Sequence, residues 1–237
     1  WWCMQLMSRA GFHLSAKNNG GVVTAEFVGC GMPKKNQRKS TTDWSNATTA
    51  NGLQDIEDTV VAASAEGVTI RYVVMHVADF SLLKKQKSTF DTLKAWVNSS
   101  SKILVTKNLI NEYLAEQEIP VKIITVNPAV RIEDSAHRRK TINPWERKRV
   151  CFLEDLKVGD IQHGPIAAES SATLQKIALM VKQDWILVTK WSELEPFKEW
   201  TKAEANAIPV VNDPDAMFIM KVDGKDWNAS EDTEGTD

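Results

Sequence analysis

The chain has 237 residues, of which 43% are hydrophobic and 25% are charged, a composition typical of a globular protein with a sizeable core. Its 29 basic and 31 acidic residues argue against a dedicated nucleic-acid-binding protein, and no apolar run approaches the ~20 residues that span a bilayer. Its three cysteines are widely separated, which argues against a disulfide scaffold or a zinc site and predicts reduced thiols.

The first segments of the chain predict a helix end followed by a hairpin. The apolar face of Trp1–Arg9 predicts the last turns of a helix, with Gly11 as its stop. Phe12–Ala16 and Val22–Val28 are predicted strands, because the Asn-Gly-Gly between them is a strong hairpin signal. The polar segment that follows is predicted to be an exposed loop anchored by Trp44.

The central stretch predicts a helix and a buried strand. Apolar residues at helical spacing place a helix at about Leu53–Glu66, with Asn51 and Gln54 as a capping box. Gly67 provides a left-handed stop. The strand Thr69–Val77 is apolar on both faces, so we expect it to be central and covered on both sides.

Two more helices and a strand are predicted after this stretch. Asp79 is the expected cap of a helix at about Phe80–Val97, and Thr106 is the expected cap of a helix at about Lys107–Gln117. Val121–Val126 is short and β-branched, which predicts a strand.

The remainder of the chain predicts mostly strands. A basic loop, Arg138–Arg149, precedes the strand Arg149–Leu153, and Glu193–Asn206 has helical propensity as an alternative to strand. The other predicted strands are Ile177–Lys182, Trp185–Lys190, Phe197–Ala203 and Ala216–Val222. Helices in the middle and antiparallel strands at both ends predict an α+β fold in two lobes.

No motif predicts a catalytic, cofactor or metal site. Gly29-Cys30-Gly31 follows an apolar segment but lacks the third glycine of a dinucleotide-binding loop, because Lys34 stands at that position. The four histidines lie far apart, and we interpret His76 as a hydrogen-bonded core side chain rather than a general base. We therefore expect no catalytic residue, no cofactor and no metal.

Basic and aromatic residues supply candidate contacts between subunits. The basic segment could contact phosphate, but a solvated loop or a charge contact between subunits is the favoured interpretation. Nine tryptophans are many for this length, and they indicate either interfaces or packing inside the lobes. The candidate inter-subunit contacts are Trp44, Arg138, Arg139, Lys140, Trp145 and Arg147.

Many short landmarks occur in an informative order. They are Trp44-Ser45, Asp55-Ile56-Glu57, Asp79-Phe80-Ser81-Leu82-Leu83, Arg149–Leu153, Val158-Gly159, His163-Gly164-Pro165, Glu195-Pro196, Ile208–Val211 and Asn212–Ala216. From about Trp2 to Val222 this series resembles the lambda-like major capsid proteins of tailed bacteriophages, the phage capsid E family, whose shell fold is the Hong Kong 97 type.

The resemblance implies a division into domains. Residues 44–165 would form an axial domain, and residues 1–43 and 166–222 a peripheral domain. The acidic composition of residues 223–237 separately predicts a disordered tail. Trp1–Arg9 would be the end of the family's spine helix. The N-terminal arm, the extended loop and most of the spine helix have no counterpart, so we expect an N-terminally incomplete sequence.

The resemblance also implies a structural role. The protein would self-assemble as a homo-oligomer into the pentamers and hexamers of an icosahedral shell, enclosing DNA without sequence-specific binding. Portal, scaffolding and decoration proteins are the implied partners, with no membrane contact. The implied location is the virion capsid, after assembly in the bacterial host cytoplasm. The alternatives are an encapsulin-like nanocompartment shell and, as a weaker one, a small α/β enzyme that uses His76 or Cys151.

Overall fold

A computed structural model describes residues 2–17, 23–98, 103–119, 121–133, 138–170, 178–195 and 197–227 of the chain. These residues fall into two compact units, one within Trp1–Val158 and Val211–Asp237 and the other within Gly159–Val210. Helices and sheets are mixed, which agrees with the predicted α+β class. None of the helices in these ranges is long and apolar enough to cross a bilayer.

The elements are numbered along the chain. The helices are α1 (Trp2–Arg9), α2 (Gly52–Ala65), α3 (Val77–Lys85), α4 (Lys87–Trp96) and α5 (Lys107–Glu116). The strands are β1 (Gly11–Lys17), β2 (Val23–Gly29), β3 (Gln37–Lys39), β4 (Tyr72–His76), β5 (Lys122–Val126), β6 (Val130–Glu133), β7 (Arg139–Ile142), β8 (Arg149–Leu153), β9 (Gly159–His163), β10 (Leu179–Gln183), β11 (Ile186–Leu194), β12 (Phe197–Glu204), β13 (Ala207–Val211) and β14 (Met217–Lys221).

The first unit is built on a five-stranded sheet with the order β3-β14-β8-β4-β5. Strand β8 pairs antiparallel with both β14 and β4. At the two edges, β3 pairs in parallel with β14, and β5 pairs in parallel with β4. Val73 and Met75 of β4 face a core layer to which α2, α3, α4 and α5 contribute. Val74 faces the opposite layer, which contains Trp145 and Cys151. The prediction of a central strand covered on both sides is confirmed.

Helix α2 follows its predicted limits, but its predicted cap is wrong. The side chain of Asn51 makes no capping hydrogen bond. The N–H of Gly52 donates instead to Oε1 of Gln86, over 2.7 Å. The helix begins against other helices, so a buried side chain from elsewhere satisfies its first free donor. Gly67 has a φ of +81°, as expected of the predicted left-handed stop.

The long helix predicted after β4 is two helices. Gln86 lies between α3 and α4 with extended backbone angles, φ −67° and ψ 134°. His76 caps α3, because its Nδ1 accepts the N–H of Ala78 at 3.1 Å. The prediction that Asp79 caps this helix is wrong. Thr106 caps α5 as predicted, through a hydrogen bond from the N–H of Leu109 to its Oγ1.

The predicted N-terminal hairpin is confirmed, but not the predicted helix stop. Strands β1 and β2 pair antiparallel. Ala10, with a φ of 57°, makes the left-handed turn that the sequence assigns to Gly11. Gly11 opens β1 instead, where a Cβ would lie 2.6 Å from the carbonyl oxygen of Val28. A glycine is needed here for close approach of the backbones rather than for its φ.

The second unit contains a three-stranded antiparallel sheet, β10-β11-β12. Strands β11 and β12 cover most of Glu193–Asn206, so the helical alternative is wrong there. Strands β9 and β13, which the sequence did not predict, pair with each other. The proposed axial and peripheral boundaries stay predictions, because these two units divide the chain at other positions.

The first residues of the predicted acidic tail are packed. Trp227 donates from Nε1 to the carbonyl oxygen of Arg38 at 2.6 Å, and the N–H of Gly224 donates to Oγ of Ser40 at 3.2 Å. The prediction of disorder is therefore wrong for residues 223–227. Residues 228–237 lie outside the described part of the chain.

Candidate assembly surfaces

The first part of the predicted basic segment lies on a two-stranded ribbon. Arg139 and Lys140 belong to β7 and pair with Glu133 and Ile132 of β6, so the prediction of a loop is wrong there. Arg138, Arg139 and Lys140 are exposed, as is Arg131 on the other strand. We call residues 130–133 and 138–142 the basic arm. It presents four basic side chains and one carboxylate, a surface that fits an acidic partner.

Trp145 lies at the base of the basic arm and is buried, with 1% of its surface exposed. Its Nε1 donates to the carbonyl oxygen of Arg149 at 3.3 Å, and its backbone N–H donates to Oδ1 of Asn143 at 3.0 Å. Nδ2 of Asn143 is 2.7 Å from Nε2 of His76. Trp145 therefore anchors the arm to the central sheet, and its side chain is a core group in the isolated chain.

Arg147 links the same region to α3. Its Nε and Nη2 donate to Oδ1 of Asp79, at 3.3 and 3.1 Å, and the N–H of Lys148 donates to the other oxygen at 3.1 Å. The side chain of Asp79 is fully buried, whereas that of Arg147 is 52% exposed. These bonds explain why Asp79 does not cap α3. The exposed half of Arg147 remains accessible to a second subunit.

Trp44 is also a core residue. It is 1% exposed, and its Nε1 donates to Oδ2 of Asp55 at 2.9 Å. Oδ1 of Asp55 accepts from the N–H and the hydroxyl of Thr41, each at 2.9 Å. Trp44 thus anchors the loop before α2, as predicted, and it can influence a subunit contact only by fixing that loop.

One face of the β10-β11-β12 sheet carries exposed apolar side chains on either side of an ion pair between Lys190 and Glu199. The strand register places Leu179 and Val181 beside Ile186 and Val188, with Phe197 on the same side. We call these five residues the apolar sheet face. Leu179 is 66% exposed and Phe197 70%, whereas Leu187 on the opposite side is buried. Large exposed apolar patches commonly mark sites of protein association.

Comparison with known proteins identifies the family of this chain. The sequence profile of the family described as phage major capsid protein E matches residues 1–222. The chain belongs to this family. No curated protein sequence matches this capsid-family chain.

Solved structures resemble this capsid-family chain. A protein assigned as the capsid protein of a prophage of Escherichia coli CFT073 matches with a TM-score of 0.58 and 14% identity, covering 94% of this chain and 61% of that one. A phage-related protein of Bordetella bronchiseptica RB50 matches with a TM-score of 0.42 and 14% identity, covering 79% and 56%. The first match shows a shared mixed α+β fold. The chain spans less than two thirds of either protein.

Two residues, His76 and Cys151, were considered for catalysis, and both are buried in this capsid-family chain. His76 is buried, with both ring nitrogens within hydrogen-bonding distance of protein groups. Cys151 is fully buried, and burial together with the nearby Cys30 raises the pKa of its thiol. A protonated thiol is a poor nucleophile. Among the residues that the structure describes, no group of three His, Cys, Asp or Glu side chains could hold a metal ion.

The cysteines are expected to differ in reactivity. At pH 8, iodoacetamide should alkylate Cys3, which is exposed, and leave Cys151 unmodified until the chain unfolds. The thiolate is the reactive form, and burial disfavours it at Cys151. Peptide mass spectrometry with and without urea measures both rates. Rapid alkylation of Cys151 in the native chain would contradict this burial.

Proposed function

We propose that this chain is the shell-forming part of a lambda-like major capsid protein, from a tailed phage or a prophage, with the Hong Kong 97-type fold. Copies of the complete gene product form the pentamers and hexamers of an icosahedral shell that encloses DNA without reading its sequence. The observation that carries this proposal is the family match over residues 1–222, which includes nearly all of the described fold.

We assign the axial domain to residues 44–165 and the peripheral domain to residues 1–43 and 166–222. Strands β3 and β14 belong to the peripheral segments by this division, yet β14 pairs with β8 in the central sheet. The two proposed domains therefore share one hydrogen-bonded sheet. This sheet lies wholly within the first of the two compact units, so the division into proposed domains cuts across that unit.

Two surfaces support contacts between copies. The basic arm carries exposed positive charge, and the apolar sheet face carries exposed hydrophobic area. Weak contacts suffice for a shell, because each subunit is held by several neighbours at once. The net charge of −2 also suits a wall around DNA, since a strongly basic lining would bind the genome. Portal, scaffolding and decoration proteins are proposed partners, with assembly in the host cytoplasm and a final place in the virion.

Electron microscopy of the complete gene product, expressed alone and with its neighbouring genes, tests this function. Closed shells of uniform diameter are the expected result. Nuclease-protected DNA in shells isolated from an induced host distinguishes a virion from a nanocompartment, which would contain protein cargo. A monomer at every concentration tested, with or without the neighbouring genes, would overturn the proposal.

Loss of the largest exposed group on the apolar sheet face is expected to weaken assembly. Phe197→Ser removes an aromatic side chain whose burial in a contact would contribute about 1–2 kcal/mol of binding free energy. The yield of particles in sedimentation should fall, while the melting temperature of the unassembled chain stays the same. Thr201→Ser is the matched control, because Thr201 is exposed on this face and its replacement preserves the five apolar residues and the ion pair of Lys190 with Glu199. Normal yield from Phe197→Ser would exclude this face from the contacts.

A further inference from the structure

Strand β12 forms a free edge of the three-stranded sheet in the second unit. It pairs with β11 along one side only, over residues 197–204. Within the described ranges no strand pairs with its other side, and every residue from Phe197 to Ala203 is exposed. The backbone N–H and C=O groups along such an edge can form hydrogen bonds with a further extended strand. Strand β12 is therefore a candidate for pairing with another chain.

The charges of β12 restrict which strand can pair with it. Lysines on an edge strand discourage pairing unless the neighbour supplies opposite charge at matching positions. A second copy of β12 can meet this condition by antiparallel pairing about a two-fold axis normal to the sheet. Such an axis keeps equivalent faces together, and side chains alternate between the faces. Even-numbered residues of one copy therefore lie opposite even-numbered residues of the other.

One register of this pairing matches the charges. With Thr201 on the axis, Lys198 of each copy lies opposite Glu204 of the other copy. Among the described residues Lys198 forms no ion pair, although Glu193 lies opposite it on β11. Glu204 contacts Lys202 of its own chain, and a carboxylate can accept hydrogen bonds from two lysines. The join would therefore carry two ion pairs, one on each side of the axis.

The neighbouring symmetric registers oppose like charges. An axis at Trp200 places Lys198 opposite Lys202. An axis at Lys202 places that lysine opposite itself, and an axis at Glu199 does the same with a carboxylate. Like charges directly opposite each other destabilise a strand pair. Registers displaced further pair only a few residues of β12, so charge and overlap together favour the register centred on Thr201.

The same register gives an exposed tryptophan a partner. Trp200 is 45% exposed, and its ring is stacked with that of Trp191 on β11, with the centroids 6.4 Å apart. Lys202 of the other copy would lie opposite Trp200. An ammonium group near the face of an indole is attracted to it.

We propose that β12 pairs with β12 of a second copy, antiparallel about Thr201, and joins two three-stranded sheets into one. The occupant is a second copy because the strand is complementary in charge to itself in this register. The pair forms between free chains in solution, so the inference does not rest on the proposed shell.

Disulfide trapping in the full chain tests the register. The Cys3→Ser background removes the exposed native thiol. In glutathione disulfide, Thr201→Cys should form a linked dimer, because directly opposite Cα atoms lie about 4.5–5.5 Å apart, within disulfide range. Ala203→Cys, also exposed, should link about tenfold less, because its two copies would lie about 13 Å apart along the strands. Non-reducing electrophoresis and peptide mass spectrometry measure both yields.

Exchanging the charges tests the pairing without a new cysteine. Lys198→Glu alone and Glu204→Lys alone should each raise the dissociation constant of the dimer about tenfold, because each opposes like charges twice. An equimolar mixture of the two variants should restore the dimer, since every join then has two Glu–Lys pairs. Lys107→Glu, at an exposed lysine of the first unit, should leave the dissociation constant unchanged. Analytical ultracentrifugation measures these values.

Three results would each overturn the proposal. They are equal linking through positions 201 and 203, no linked dimer at either position, and a mixture that associates no better than the single variants. Shells of the complete gene product that lack the link through position 201 would also overturn this pairing, while leaving the proposed function intact.

Discussion

Reversing the charge of Arg138, Arg139 and Lys140 to glutamate is expected to prevent particle formation while leaving the subunit folded. All three side chains are exposed on or next to β7. Substitutions at exposed positions usually change folding stability little, so the reversal should act mainly on contacts with other molecules. Because the effect recurs at every repeated contact of a shell, we expect particle yield to fall about tenfold or more. Sedimentation and electron microscopy measure this yield.

The matched control reverses Lys85, Lys87 and Lys107, which are exposed on or beside helices of the same unit. It changes the net charge of the chain by the same amount. Urea unfolding of the arm variant should stay within about 0.5 kcal/mol of the unmodified chain, as is usual for exposed positions. Normal particles from the arm variant, or equal losses from both variants, would remove the basic arm from the proposed contacts.

Trp145→Ala is expected to destabilise the subunit by about 3–5 kcal/mol. The indole is buried in the layer behind the central sheet and donates a hydrogen bond to the backbone of Arg149. Its removal leaves a cavity and an unpaired carbonyl group. Urea unfolding, followed by circular dichroism on the unassembled chain, measures the change.

Two further tryptophan variants test whether the loss of stability is specific to the buried indole of Trp145. Trp145→Phe keeps most of the apolar volume and loses the hydrogen bond, so it should cost about 1–2 kcal/mol. Trp185→Ala, at a position 51% exposed, should cost under about 1 kcal/mol. If Trp145→Ala unfolds at the same urea concentration as the unmodified chain but forms no particles, Trp145 is an interface residue, as the sequence analysis predicts.

Elements with a strong local pattern could be predicted from the sequence. Helix α2 and strand β8 follow their predicted positions to within one residue, because apolar spacing and short apolar runs are local signals. Strand β3 could not be predicted. Its residues, Gln37-Arg38-Lys39, are polar and have no strand pattern, and they form a strand only because β14 pairs with them. Pairing between distant segments leaves no trace in a local window.

The candidate surfaces were predictable in part. The basic character of Arg138, Arg139 and Lys140 is visible in the sequence, and all three are exposed. Whether Trp44 and Trp145 serve the core or an interface was not predictable, because both places favour aromatic residues. In the structure each is only 1% exposed, which places both in the core. The apolar sheet face was missed because β11 is apolar on both sides, so its sequence does not show which side is covered.

The position of β14 between β3 and β8 has a consequence for biosynthesis. On the ribosome, residues 37–39 and 149–153 are made well before residues 217–221, which must insert between them. Contacts of such long sequence separation form slowly. A nascent polypeptide therefore keeps one side of β8 unpaired until β14 emerges, and an unfinished translation product exposes that strand edge to pairing with other chains.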